Sequence, residues 1–311
     1  MKILITTGIY PPEIGGPATY ALLVENELKN RGHQVYVLPF RVVRSYPTII
    51  RHIIYFCKII KNIWWADIVL AQDTVSVGFP SILASRMLMK PVVVRVPGDF
   101  AWEQGVQRFG VKESIDDFQK KKYGFRVEFL RSIQKFVVKN ADFIITPSDY
   151  FKSVVSSWGV SAQRLQRVYN GVSIPENTSP KVFSRKTIVS AGRLVPWKGF
   201  DTLIKSISSV NADLVIVGDG EDRKRLEDLV IENKVSDKVS FTGSLKREEL
   251  MSLISGSSLF VLSSSFESFS FQLVEAMMLG SVVVALNTGN LGEIIKNGQN
   301  GVLVDISEIE S

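Results

Sequence analysis

Short apolar runs recur along this chain, and most end in a turn rich in glycine, proline or serine. In the first half they fall at residues 2–7, 35–38, 67–71, 91–96, 143–146 and 168–172. In the second half they fall at 187–191, 214–217, 238–242, 259–262, 282–285 and 302–304. Runs of this length, rich in Val, Ile and Leu, predict buried strands. Most are separated by segments with apolar residues three and four apart, the period of a helix, such as 18–30 and 271–279. Strands alternating with helices predict parallel sheets joined by right-handed crossovers, and so an α/β fold.

Two segments depart from the plain alternation. Residues 41–65 are dominated by Ile, Phe and Trp but interrupted by Arg51, His52, Lys58 and Lys61, which is too polar to span a bilayer. Arg51, Tyr55, Lys58 and Asn62 share one helix face. Two readings are open: a helix lying on an anionic membrane surface, or a core helix whose lysines reach out to water. Residues 120–139 carry Lys120, Lys121, Lys122, Arg126, Arg131, Lys135 and Lys139, with Phe125, Phe129, Ile133 and Phe136 at helical spacing. A solvated basic face is the first reading there, and binding of anionic lipid or phosphate the second. Neither segment has the aromatic-interleaved basic patch of a nucleic-acid binder, and no nucleic-acid partner is expected.

Composition narrows the chemistry. With 311 residues, 45% apolar and 22% charged, the chain reads as a globular protein with room for two cores. Lys and Arg outnumber Asp and Glu by 23 to 13 up to residue 173, and are outnumbered 14 to 18 beyond it. That asymmetry predicts two domains, 1–173 and 174–311, with different partners. The stretch 173–186, with its prolines, serines and Asn177, reads as the linker. A single cysteine, Cys57, excludes an internal disulfide and fits a reducing compartment. Two histidines, His33 and His52, exclude a histidine-rich metal site, and His33 reads as structural. The N-terminus lacks a signal-peptide cleavage pattern and reads as a first strand, so a cytoplasmic protein is expected.

The candidate chemistry sits in the loops that follow strands. Ser263 to Gly280 reads as a serine-rich loop, a helix capped by Ser268 or Ser270, and a helix-ending glycine. Such a loop aims unpaired N–H groups and a helix dipole at one point, which suits a phosphate or polarised hydroxyl. Glu267 and Glu275 flank it and suit hydrogen bonding to sugar and ribose hydroxyls; solvated surface glutamates are the other reading. In Gly192 to Gly199, Arg193 and Lys198 could hold a diphosphate, one as a fork and one as a point charge. Val217-Gly218-Asp219-Gly220 is a tight turn, and Gly15-Gly16 allow close backbone approach to a ligand. Asp99 and Glu103, after the strand at 91–96, are candidates for acceptor contact or acid/base work, with loop carboxylates as the bland reading. The first loop lacks Gly-x-Gly-x-x-Gly, which counts against a dinucleotide-dependent oxidoreductase.

Together these pieces resemble family 4 of the retaining glycosyltransferases, and the likeness runs over nearly the whole chain. It rests on Gly15-Gly16, Arg31-Gly32-His33-Gln34-Val35, Ala141-Asp142 with Pro147-Ser148, and Asn170-Gly171-Val172. It continues through Gly192-Arg193 to Lys198-Gly199, Val217-Gly218-Asp219-Gly220, and Glu267 to Glu275 followed by Ala276-Met277. The resemblance implies the GT-B fold, two Rossmann-like domains with parallel sheets facing across a cleft, the first binding acceptor and the second a UDP-, GDP- or ADP-sugar. It implies donor contacts from Gly15, Gly16, Arg193, Lys198, Gly218, Glu267, Ser268, Phe269, Ser270 and Glu275. Arg193 and Lys198 would stabilise the leaving diphosphate, Glu267 the transferred sugar and Glu275 the ribose. No metal or other cofactor would be required. Relatives place a histidine after the fourth strand; here Asp99 would stand in for it, and Asp99, Arg193, Lys198 and Glu267 are the expected catalytic set. Relatives also continue into helices beyond the strand at 302–304. The expected activity is transfer of a hexose to an envelope glycan or polyprenyl-linked acceptor, on the inner face of the membrane, held there by residues 41–65. A non-catalytic nucleotide-sugar-binding protein is the alternative.

Overall fold

The computed structural model describes residues 1–175 and 178–305. Within the expected linker, residues 176 and 177 lie outside that set, as do residues 306–311. The chain divides into two units, Met1–Gly171 and Val172–Ser311.

Unit 1 runs β1 (Lys2–Thr7), α1 (Gly16–Asn30), β2 (Gln34–Pro39), α2 (Thr48–Ile63), β3 (Ile68–Ala71), α3 (Gly78–Met87) and β4 (Val92–Arg95). It continues with α4 (Phe100–Arg108), α5 (Ile115–Lys120), α6 (Phe125–Asn140), β5 (Phe143–Thr146), α7 (Asp149–Ser156) and β6 (Leu165–Arg167). The strands pair in parallel in the order β2-β1-β3-β4-β5-β6.

Unit 2 runs β7 (Thr187–Ala191), α8 (Phe200–Ser206), β8 (Asp213–Val217), α9 (Arg223–Glu232), β9 (Val239–Gly243) and α10 (Arg247–Gly256). Then come β10 (Leu259–Leu262), α11 (Phe271–Met278), β11 (Val283–Leu286), α12 (Leu291–Ile294) and β12 (Val302–Val304). Its parallel order is β12-β11-β10-β7-β8-β9. Its core fills both faces, with Val189, Phe260, Leu273 and Met251 in one cluster and Leu194, Ile204, Leu214 and Leu226 in the other.

Strand order reverses direction between β1 and β3 in unit 1, and between β7 and β10 in unit 2. At such a switch point the neighbouring loops leave toward opposite faces and open a crevice at the strands' C-terminal ends, where ligands of open α/β sheets bind. The loops singled out at Gly15-Gly16, Arg193 to Lys198 and Glu267 to Ser270 all leave these strands.

Two expectations need correction. The run at 168–172 is not a strand; β6 lies just before it, at Leu165–Arg167. Only Leu165 is buried there, while Gln166 is exposed, so the strand has too little apolar content to announce itself. In α2, the face shared by Arg51, Tyr55, Lys58 and Asn62 is not a uniform water-facing surface. Tyr55 is fully buried and donates to the Leu38 carbonyl at 2.7 Å, beside buried Ile59 and Ile63, while Ile50 and Ile53 are exposed.

Candidate functional site

In unit 2 three loops are joined through their backbones. After β7, Gly192 N donates to the Val217 carbonyl at 2.9 Å and Leu194 N to the Asp219 carbonyl at 3.0 Å. A Cβ on Gly218 would lie well under 3.0 Å from the Gly192 carbonyl, at a φ of 134° that only glycine adopts freely. After β10, Ser265 N donates to the Trp197 carbonyl at 2.8 Å and Ser263 Oγ to the Lys198 carbonyl at 2.9 Å. A Cβ on Gly199, at a φ of 65°, would likewise lie well under 3.0 Å from the Ser263 carbonyl. The loops carrying the two expected cations and Glu267 are therefore one body.

Within it, the Lys198 ammonium donates to the Glu267 carboxylate. The pair is held with side-chain exposures of only 17% and 9%. Arg193 stacks over the Trp197 ring, 5.6 Å from its centroid. Ser270 is the cap of α11: its Oγ accepts from Leu273 N at 3.3 Å. Phe269 and Phe271 meet edge to face at 5.5 Å, fixing the loop that also holds half-buried Ser268. Gly280, at a φ of 76°, follows the helix end.

Glu275 lies in the second turn of α11, buried, with Arg247 Nη2 2.6 Å from its Oε1. Burial pushes the Glu275 carboxyl up from 4.5, against the opposing pull of Arg247. Arg247, at the first position of α10, also donates to the Ser173 carbonyl. Sequence reasoning missed this partner, because nothing local links residue 247 to residue 275. It also missed Ser264 and Asn290, both completely buried, whose Oγ and side-chain amide make no hydrogen bond among the described residues. A polar run after an apolar strand was the available signal.

In unit 1, Gly15 caps α1 at a φ of 147° and Gly16 opens the helix. The loop before it is fixed by the Tyr10 hydroxyl donating to Glu25, by Arg41 on the Tyr10 carbonyl at 3.0 Å, and by the Arg44–Glu13 pair. Burial and Glu25 push the Tyr10 hydroxyl up to about 12.

Asp99 is the N-cap of α4 and is almost wholly buried. Its Oδ1 accepts from Trp102 N and Gln134 Nε2, each at 3.0 Å, and its Oδ2 from Gln119 Nε2 at 2.8 Å. Both carboxylate oxygens are thus occupied by donors of unit 1. Glu103, in the first turn of α4, folds over Gly98, where an added Cβ would come 2.7 Å from Glu103 Oε1. Nearby Arg95, the charge at the end of an apolar strand, is buried with its guanidinium 3.8 Å from the Tyr20 ring centroid and 3.0 Å from Asn170 Oδ1. Burial lowers it to about 10.

Among the described residues no group of three or more His, Cys, Asp or Glu is placed to hold a metal ion. No helix among them is long and apolar enough to cross a membrane.

Comparison with known proteins places both halves. Residues 14–175 match the family model described as Glycosyltransferase Family 4, and residues 176–311 match that of Glycosyl transferases group 1. An uncharacterised glycosyltransferase of Methanocaldococcus jannaschii is 25% identical over 98% of this chain and 85% of its own length. A GDP-mannose-dependent alpha-mannosyltransferase of Corynebacterium glutamicum is 23% identical over 100% of this chain and 78% of its own. Among solved structures, HepE of Anabaena in complex with UDP and glucose superposes with a TM-score of 0.74 at 18% identity, over 98% of this chain and 86% of that one. Sucrose-phosphate synthase from Thermosynechococcus elongatus superposes at 0.77 with 17% identity, over 99% and 87%. With both halves matched in order and the two doubly wound sheets in place, the chain belongs to Glycosyltransferase Family 4 and is a glycosyltransferase of the two-domain GT-B fold.

Proposed function

We propose that this glycosyltransferase takes a hexose from a nucleotide diphosphate sugar and transfers it, with retention of configuration and without a metal, to an envelope glycan or lipid-linked acceptor. The observation that carries the donor half is the convergence of Arg193, Lys198, Glu267 and the α11 N-terminus on the C-terminal edge of β7 and β10. Two cations and a helix N-terminus at one switch point favour a diphosphate, because each supplies donors or positive charge to its oxygens. Two similar proteins support this donor class: the mannosyltransferase is named as GDP-mannose-dependent, and HepE was solved with UDP and glucose.

In this reading Arg193 and Lys198 hold the diphosphate, and N–H groups from Ser268 to Ser270 complete the cradle within unit 2. Gly218 keeps the loop after β8 clear of it. Glu267 hydrogen-bonds the sugar while aiming Lys198, and Glu275 takes the ribose hydroxyls. The anomeric C1–O bond to the phosphate breaks as the acceptor oxygen bonds to C1 on the same face. The acceptor's proton passes to the phosphate oxygen that leaves, so no side-chain base is consumed. Positive charge at that oxygen stabilises the transition state more than the ground state, which is what raises the rate. Unit 1 takes the acceptor, with Asp99 positioning the loop that presents Glu103.

Thermal-shift screening against UDP-, GDP- and ADP-sugars tests the donor class. A true donor raises the melting temperature in proportion to the logarithm of its concentration over its Kd. One base is expected to stabilise well above the others; no shift with any of them removes the proposal.

A further inference from the structure

Three neighbouring helices of unit 1 turn large apolar side chains out to solvent. On α6, Phe125, Phe129 and Phe136 stand on one face, Phe125 with 83% of its surface exposed. On α3, Leu83 and Met87 follow Phe79 at four-residue steps, and the Phe79 ring meets Phe136 at 5.8 Å. On α2, Ile50, Ile53 (59% exposed) and Trp64 at the C-cap (69%) do the same. α2 packs on α3 and α3 on α6, so the three stripes adjoin. Exposed apolar side chains gathered on adjoining helices in this way mark an interaction surface.

Charge selects the partner. α2 and α3 contain no Asp or Glu, and α6 contains only Glu128, which is paired with Arg131 at 2.9 Å. Against this stand Lys58 and Lys61 on α2, Arg86 on α3, and Arg126, Lys135 and Lys139 on α6. A second copy of the chain would bring like charges together across a two-fold axis, which disfavours self-association through this face. Aromatic and aliphatic side chains among unopposed cations fit the boundary of a bilayer: rings enter the headgroup layer while ammonium and guanidinium groups meet acidic lipids.

We propose that the α2–α3–α6 face docks this protein on an anionic lipid bilayer. The stretch at 41–65, read from sequence as a candidate for that role, supplies one part of the surface; α3 and the exposed phenylalanines of α6 supply the rest. The inference does not depend on the donor or the acceptor.

The test is flotation of the full chain with phosphatidylcholine vesicles, with and without phosphatidylglycerol. Binding is expected only when the anionic lipid is present, and is expected to weaken with salt. Three variants divide the contributions: Phe125→Ser with Phe129→Ser, Lys58→Glu with Lys61→Glu, and Arg126→Glu with Lys135→Glu. Each is expected to cut the bound fraction about tenfold. Their melting temperatures, and their stabilisation by nucleotide sugar, are expected to stay at the parent values, which separates this result from the donor reading. No flotation with anionic vesicles, flotation unchanged in all three variants, or a dimer abolished by them in place of vesicle binding would each overturn the proposal. So would equal binding to a short DNA duplex.

Discussion

Lys198 and Glu267, 69 residues apart, hold each other across the two loops that leave the central strands of unit 2. The contact ties the loop after β7 to the loop after β10. A largely buried ion pair adds little net stability, since desolvating both charges offsets their attraction. In the proposed reading its use is positional: the carboxylate fixes where the ammonium sits before a ligand arrives.

The first expectation follows from that pairing. Lys198→Met leaves Glu267 buried without its partner and should lower stability by about 1–3 kcal/mol, the cost of an unsatisfied buried group. Adding Glu267→Gln should restore part of it, with a coupling of about 0.5–3 kcal/mol between the sites. Urea unfolding of the two single variants and the double variant measures the cycle. Additive losses would show that the two side chains do not interact.

Gly218→Ala places a methyl against the Gly192 carbonyl at a φ that disfavours any side chain. The loops after β7 and β8 must then separate. Destabilisation above about 2 kcal/mol is expected, with donor-induced thermal stabilisation falling alongside it. Calorimetry of the variant with and without nucleotide sugar checks both.

Glu275 sets a pH dependence whose sign is fixed by its raised pKa. The folded state keeps the Glu275 proton to higher pH than the unfolded chain does. Its contribution to stability is therefore fullest below the ordinary 4.5 and is lost as pH rises through the raised value. In the proposed reading donor affinity runs the other way, because ribose hydroxyls need the carboxylate as acceptor. Affinity for the nucleotide should fall as pH drops below neutral toward the raised value, earlier than an unperturbed glutamate would allow. Titration calorimetry across that range should show the fall in the parent and a flat profile in Glu275→Gln.

Asp99→Asn turns a doubly occupied carboxylate into an amide that must face the Gln119 Nε2 donor. Gln119 cannot simply reverse its own amide, since its Oε1 already accepts from Trp158 Nε1 at 3.0 Å. A loss of about 1–3 kcal/mol in stability is expected. If Asp99 only positions the loop, kcat at saturating substrates should fall by less than about tenfold, below the usual range for a lost general acid or base. A larger loss in a variant that still folds would return Asp99 to the catalytic set.

Local chemistry was legible in the sequence and distant pairing was not. Apolar runs such as 259–262 and the serine cap of α11 depend on neighbours a few positions away, so pattern alone located the run and narrowed the cap to Ser268 or Ser270. The switch points followed once strand order was seen, and with them the reason the Arg193 and Glu267 loops matter. Glu275 meets Arg247, and Lys198 meets Glu267, through packing of separate βα units, which no spacing rule encodes. Asp99 was read as loop chemistry although an Asp entering a helix is a ready N-cap. The phenylalanines of 120–139 recur at core spacing, yet Phe125 and Phe129 face outward, because Val127, Gln134 and Val138 take the inner face of α6.

The central claim is that positive charge at the β7 loop catches the departing diphosphate. The most direct measurement is the single-turnover rate of nucleotide release from the stabilising donor, in the parent and in Arg193→Ala. Loss of about 2–4 kcal/mol of transition-state stabilisation, about 30-fold to 10³-fold in rate, is predicted, with the fold intact. An unchanged rate in a folded variant that still binds donor would contradict it.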